Sequence, residues 1–466
     1  MKHTNKNFLY NVIYQVFIFI IPLISTPYIS RVLGVDNIGI YSYTYSIVYY
    51  FMLGSMLGIN NYGAREIAKK SENKKEMSKT FFSIYFLQLF CCFIMILLYF
   101  LFISIYNYEY KSILFIQFIY LLSCIFDINW LFFGLEKFKI TISRNIIIKT
   151  FSLVLIFLLV KNESDLWIYT LVMSISTLIS QLYLWIFAKR EIKFYKVKIK
   201  EIFYHLPKCI ILFIPIIAYS IYRVMDKTMI GSMASTIQLG NYESAEKIIN
   251  IPISFITALG TVMIPHMSKI EEDDLEEKII HSFNLCFFFI MPMVLGLFII
   301  SEDFTIVFFG NEFIDTGKLI ILLLPTVVFG GITSVIRSNY LIPKDKDRIY
   351  IASTILGAIV NLMLNIIFIK KFGAFGACIG TIFAEFTVMT YQIINTRNNI
   401  NYKRIISNIL SYFIKALIMA FIIFIVGLLV DNIVLRLILR IILAIIIYLL
   451  INYKYIIYDF FGISKK

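Results

Sequence analysis

The chain has 466 residues, of which 60% are hydrophobic and only 15% charged, with a mean hydropathy of +0.83. So few charges cannot cover a soluble domain of this size, which excludes an ordinary soluble protein. The net charge of +14 would suit a polyanion surface, but the lysines and arginines sit in short gaps between apolar runs, which points to a membrane and away from nucleic acid as a partner.

Crossing about 30 Å of hydrocarbon takes roughly 20 apolar residues in a helix. Fourteen runs meet that length: 8–30, 38–60, 81–106, 112–135, 140–160, 166–188, 209–231, 247–268, 280–301, 318–342, 349–369, 372–394, 408–429 and 433–452. The first follows Lys2 and Lys6 as a signal peptide would. Its length, its interruption by Pro22 and Pro27 and the lack of a small-residue cleavage pattern before Arg31 predict a retained helix. The predicted fold class is therefore an all-α polytopic membrane protein with about 14 transmembrane helices.

Placing the N-terminus in the cytoplasm puts 30 Lys and Arg on that side, in the N-terminal tail, 63–80, 136–149, 189–208, 269–281, 343–350, 395–407 and the C-terminal tail. Eight fall on the other side and five within helices. The asymmetry predicts both termini in the cytoplasm. Gaps between spans are at most about 20 residues, too short for a soluble catalytic domain. The only Gly-Lys pair, Gly317-Lys318, is followed by Leu319, so no nucleotide-binding loop is present. Six cysteines lie in apolar runs without a CxxC pair and four histidines are scattered, which predicts neither disulfides nor a metal site.

An internal repeat is visible. Arg31-Val-Leu-Gly34 followed by Gly39-Ile-Tyr41 has a counterpart in Met229-Ile-Gly231 followed by Gly240-Asn-Tyr242, and the next helices end at Ala64-Arg65 and Ser268-Lys269. An even number of intervening spans makes the copies parallel, so the expected symmetry is a pseudo-twofold axis along the membrane normal. This divides the chain into an N-terminal lobe (1–206), a C-terminal lobe (207–400) and two appended helices with a tail (401–466).

Charges inside spans are costly unless paired or facing water. Arg337, Lys415, Arg436 and Arg440 lie near span ends and are expected to snorkel to the interface. Arg223, Asp226 and Lys227 share one face of span 7, the two cations within about 40° of each other. Two readings stay open for them: a local ion-pair staple, or a cavity that receives an anion and explains the surplus positive charge, with Arg31 at the matching end of span 1 facing it. Asp127 and Glu385 are candidates to take a proton or Na⁺, or to act as structural acceptors. Seven prolines fall within spans, and Gly54/Gly58 and Gly376/Gly380 allow close helix approach.

These pieces, Pro27-Tyr28, Arg31, Leu33-Gly34, Asp127, Trp130, Gly134, Glu136-Lys137-Phe138, Asp226-Lys227, Gly231, Pro265, Gly373, Gly376-Ala377, Gly380-Thr381 and Glu385, extend over most of the chain. Together they resemble the bacterial polysaccharide repeat-unit flippases (O-antigen and capsule type) of the multidrug/oligosaccharidyl-lipid/polysaccharide exporter superfamily. The resemblance implies a transporter, not an enzyme: a flippase in the bacterial cytoplasmic (inner) membrane that moves undecaprenyl-pyrophosphate-linked oligosaccharide to the outer leaflet by alternating access. It implies Arg31, Arg223 and Lys227 as pyrophosphate ligands, and Asp127, Asp226 and Glu385 as cavity or ion-coupling groups. It further implies no cofactor, coupling to an H⁺ or Na⁺ gradient, and a polysaccharide polymerase and chain-length regulator as partners. The rival readings are a multidrug/cation antiporter of the same superfamily and a lipid II or teichuronic-type exporter.

Overall fold

A computed structural model describes residues 2–105, 109–267 and 272–453. The predicted Ser268-Lys269 helix end and the basic C-terminal tail lie outside these residues, as do the side chains of Lys2, His3, Lys6, Pro215, Pro265 and His266. The chain forms two compact units, Met1–Gly231 and Ser232–Lys466, with no strand among the described residues.

The first unit contains α1 (Lys2–Met56), α2 (Ile59–Lys70), α3 (Lys74–Ile105), α4 (Lys111–Ile125), α5 (Asn129–Gly134), α6 (Phe138–Leu159), α7 (Leu166–Glu191), the short α8 (Ile199–Phe203) and α9 (Leu206–Met233), whose last two residues pass into the second unit. The second contains α10 (Thr236–Met267), α11 (Glu272–Phe308), α12 (Ile314–Ile336), α13 (Asp347–Phe372), α14 (Ala374–Thr396), α15 (Tyr402–Leu428) and α16 (Ile433–Ile451). Among the described residues ten helices are long and apolar enough to cross a membrane. The other four predicted spans also coincide with long helix: two in α1, one in α9 and one in α10. The chain is an all-α polytopic membrane protein.

The predicted outer loop after Arg31 is a single residue. α1 is interrupted only at Gly34, whose φ of 76° and ψ of 170° suit a residue without Cβ. Asn37 bridges the bend, donating from Nδ2 to the Leu33 carbonyl at 2.8 Å and the Glu163 carbonyl at 2.9 Å. Conversely, the predicted span 112–135 is broken between α4 and α5. The Gln88 amide donates to the carbonyls of Cys124 (2.7 Å) and Asp127 (2.8 Å), and Trp185 Nε1 donates to that of Phe126 at 3.0 Å. These bonds serve the groups the break leaves open, as irregular backbone at this depth requires. Trp185 thus uses its indole N–H inside the bundle.

Hydropathy does not say which face of a helix looks inward, since lipid and core are equally apolar. On α3, Phe93, Leu97 and Leu101 are exposed while Ile84, Leu87 and Tyr99 are buried. The inward faces carry polar and small residues, as helices without a hydrophobic drive to associate require. Along α13 the buried Ser353, Gly357, Asn361 and Asn365 recur every fourth position, and α14 answers with Gly376, Gly380, Ala384 and Gln392. Gln392 Nε2 donates to Ser353 Oγ at 3.0 Å. A Cβ on Gly376 would sit 2.2 Å from the Phe368 carbonyl oxygen, a backbone atom that cannot swing aside. Gly376→Ala is therefore expected to destabilise the α13/α14 pair by about 1–3 kcal/mol, read as a lower melting temperature of the solubilised protein.

Two expectations about charges need correction. Arg436 and Arg440 do not snorkel: both turn from α16 onto Asp303 of α11. Arg436 Nε and Nη2 reach its two carboxylate oxygens at 2.8 and 2.5 Å, and Arg440 Nη1 reaches Oδ2 at 2.6 Å. A carboxylate at hand is a better partner for a guanidinium than a long reach to water. Arg144, counted with the 136–149 connector, is instead buried inside α6. Lys415 donates to Asn452 Oδ1 at 3.1 Å, and Arg337 lies over the Tyr350 ring at 5.7 Å.

Candidate substrate-binding site

α9 lies along the part of α1 that follows the Gly34 bend. Tyr43, Ser46 and Tyr50, spaced three and four residues apart, form one stripe on α1. Thr228 Oγ1 donates to Ser46 Oγ at 2.9 Å and lies 3.5 Å from the Tyr50 hydroxyl. One turn on, Gly231 packs so closely on Tyr43 that a Cβ there would approach the ring to 2.2 Å. This pairing sets the rotation of α9. Asp226 is buried, within electrostatic range of Tyr50, and Arg223 and Lys227 are half-buried on either side of it. The face thus carries two cations and one carboxylate. Arg31 is exposed, three residues before the bend on α1. The structure groups Arg223, Asp226 and Lys227 on one helix and puts Arg31 on the helix that packs against it. Glu385 belongs to the second unit, half-buried on α14 beside the buried Ala384.

Asp127 occupies the α4/α5 break. Its Oδ1 accepts from the Asn129 backbone N–H at 3.0 Å and from Asn129 Nδ2 at 2.7 Å, so it closes a local side-chain turn that leads into α5. Asn129 Nδ2 also donates to Gln181 Oε1 at 3.2 Å, and Arg144 Nη1 lies 3.4 Å from that same oxygen. Arg144 completes the group by donating to Asn145 Oδ1 at 2.8 Å. Arg144 is the site residue that sequence reasoning missed. The available signal was its position: six residues into a helix start, it falls on the side of Thr141 and Ser152, the other buried polar residues of α6.

The α8–α9 connector is fastened to the first unit by a histidine. His205 Nδ1 shares a hydrogen bond with the Tyr62 hydroxyl at 2.7 Å, and its Nε2 shares one with Ser83 Oγ at 2.8 Å. Burial pushes its pKa from 6.5 down to about 4; Lys70 and Lys208 add to the shift and Glu66 opposes it. Both hydroxyls could turn to accept from an imidazolium, so desolvation beside lysines, not loss of hydrogen bonds, disfavours the charged form. A depressed folded pKa means that the unfolded chain binds the extra proton first. The stabilisation is complete above about pH 6.5 and is lost as the pH falls towards about 4. His205→Gln is expected to flatten the decline in melting temperature across that window; an unchanged slope would assign it to other groups.

No group of three or more His, Cys, Asp or Glu that could hold a metal occurs among the described residues, and all six cysteines are buried thiols outside any disulfide.

Residues 4–271 match the family model described as "Polysaccharide biosynthesis protein". The chain is 25% identical over 384 residues to a Shigella dysenteriae protein named "Putative O-antigen transporter", covering 80% of this chain and 95% of that one. Among solved structures, the inward closed form of lipid II flippase MurJ superposes with a TM-score of 0.78 at 20% identity, covering 96% of this chain and 99% of the other. An inward-facing multidrug resistance MATE family transporter of the MOP superfamily gives 0.59 at 14% identity, covering 83% and 94%. At these identities the two structures speak for the fold. With more than half of its length matched by the family model, the chain belongs to the polysaccharide biosynthesis protein family.

Proposed function

We propose that the chain is a flippase for lipid-linked glycans, carrying undecaprenyl-pyrophosphate-linked oligosaccharide repeat units from the cytoplasmic to the outer leaflet for surface polysaccharide such as O-antigen or capsule. The observation that carries this reading is the net basic face of α9, Arg223 and Lys227 around the buried Asp226, held in a membrane helix by Thr228 and Gly231. A pyrophosphate is the anion that such a face suits, because charge-assisted hydrogen bonds to it gain strength where water is excluded. Arg31 is assigned to the same anion. The name of the Shigella relative supports the substrate class. The family reading is of a transporter, with no bond made or broken.

In this reading the protein lies in the bacterial inner membrane with both termini cytoplasmic, which the 30-to-8 bias of its Lys and Arg supports. Transport is coupled to an H⁺ or Na⁺ gradient, with Asp127, Asp226 and Glu385 as the carboxylates assigned to coupling. The product feeds a polymerase and a chain-length regulator. A multidrug antiporter for cations is disfavoured by the same surplus of positive charge. A lipid II exporter shares the pyrophosphate chemistry and the MurJ fold.

The test is a strain lacking the protein, with inner- and outer-leaflet pools of lipid-linked saccharide assayed separately. Inner-leaflet accumulation with loss of surface polysaccharide, rescued by the intact gene, is the expected result, and the mass of the accumulated lipid distinguishes a repeat unit from lipid II. Unchanged pools together with sensitivity to cationic drugs would overturn the reading in favour of the antiporter.

A further inference from the structure

The second unit contains a cavity of about 270 Å³ between the ends of α10, α11 and α12. It opens at the end of these helices where the basic 343–350 connector follows. Lys278 and His281, one turn apart on α11 and both exposed, stand at its rim. Deeper in lie the hydroxyls of Ser282, Ser334 and Ser338 and the amide of Asn339. Ile256, Met263 and Leu285 supply the apolar part of the lining, and no carboxylate is among the described lining residues.

Two features mark this as a built site rather than a packing gap. α12 ends in a π-helical turn, Arg337–Leu341, confirmed by the Ile342 N–H to Arg337 carbonyl bond of 3.0 Å. Such turns are rare and frequently lie at functional sites. Here the turn brings the adjacent Ser338 and Asn339 both into the lining. Secondly, Ser334 is buried with no hydrogen-bond partner for its Oγ. Leaving a buried hydroxyl unmade costs about 1–3 kcal/mol, an expense that a ligand oxygen would remove. Ser338, by contrast, is occupied, donating to the Ser334 carbonyl at 2.7 Å.

We infer that this cavity binds a phosphate ester carrying one small hydroxylated substituent, a sugar phosphate or a phosphoglycerol head group. Lys278 and His281 take the phosphate, the serine hydroxyls and Asn339 take the hydroxyls of the substituent, and the apolar side receives its carbon skeleton. A bare phosphate would leave most of the volume unfilled, and a cationic ligand would meet Lys278 with no carboxylate among the described lining residues to oppose it. The site lies wholly in the second unit and does not depend on the pyrophosphate assignment of Arg223 and Lys227.

The test uses the purified full chain in nanodiscs of phosphatidylcholine, with or without phosphatidylglycerol. Glucose 1-phosphate and neutral glucose are titrated against its melting temperature, and retained lipid is read by native mass spectrometry. Glucose 1-phosphate raises the melting temperature and glucose does not, or phosphatidylglycerol is retained in preference to phosphatidylcholine. The first result identifies a soluble phosphoryl ligand as the source, the second a lipid head group. Lys278→Gln and Ser334→Ala each weaken the effect by about tenfold, whereas Arg223→Ala leaves it intact. Removing the unpartnered Ser334 hydroxyl should not harm folding, so its effect reports binding. No response to either phosphate probe, or a response undiminished in both cavity variants, would overturn the assignment.

Discussion

Arg223→Ala or Lys227→Ala is expected to lower flipping of the lipid-linked head group by about 10- to 100-fold, the worth of one charge-assisted hydrogen bond to a desolvated anion, while the protein still inserts. The argument rests on charge balance. Two cations and one carboxylate leave this face with a net positive charge, which a polyanion would complement. Arg223→Lys should recover part of the activity, because it restores the charge but not the planar two-pronged geometry. The competing staple reading makes a different prediction. If the three side chains serve only each other, removing Arg223 uncovers the buried Asp226 and lowers the melting temperature, with transport falling in proportion to folded protein. Normal surface polysaccharide in both alanine variants at native expression would end the anion-site assignment.

The second large effect concerns Asp303. Asp303→Ala is expected to destabilise the second unit by about 3–5 kcal/mol, because it strands the buried guanidinium of Arg440 inside the packed helices and takes its carboxylate partner from the half-buried Arg436. Arg440 has no simple escape: its guanidinium lies against Gly427, where a Cβ would come within 2 Å of it, and its Nε donates to the Ile423 carbonyl at 3.2 Å. One carboxylate thereby ties α16 to α11 across the pair α15/α16. Replacing all three charges together by apolar residues of similar size should recover most of the loss, since the cost comes from the unpaired charges and not from the missing pairs. Thermal unfolding of the solubilised single and triple variants measures both. If Asp303→Ala melts like the parent, the arginines do reach the interface, as their positions near a span end suggested.

The legible part of this protein was what the bilayer itself dictates. Runs of about 20 apolar residues must become helices because no other open structure satisfies its backbone in hydrocarbon, and each of the fourteen is helical over most of its length, 112–135 as the pair α4 and α5. The Gly376/Gly380 spacing likewise announced a close helix approach, found between α14 and α13. The shared face of Arg223, Asp226 and Lys227 followed from helical periodicity alone.

What sequence could not decide was which groups meet. Asp303 attracted no notice at the end of its span, because nothing local reveals that it faces two arginines more than 130 residues away. Arg144 was counted with the 136–149 connector although it falls within the predicted span 140–160, because nothing local shows that Asn145 and Gln181 hold it within the bundle. The break at Asp127 was missed for the same reason: its carbonyls are satisfied by Gln88 and Trp185 from other helices, so an apolar run can stop being helical at depth with only Asp127 and Asn129 to mark the turn. The length and composition of each helix are set by the solvent it crosses and can be read one segment at a time. The partners of each buried polar group depend on the rotation of helices against one another, and only the folded chain specifies that.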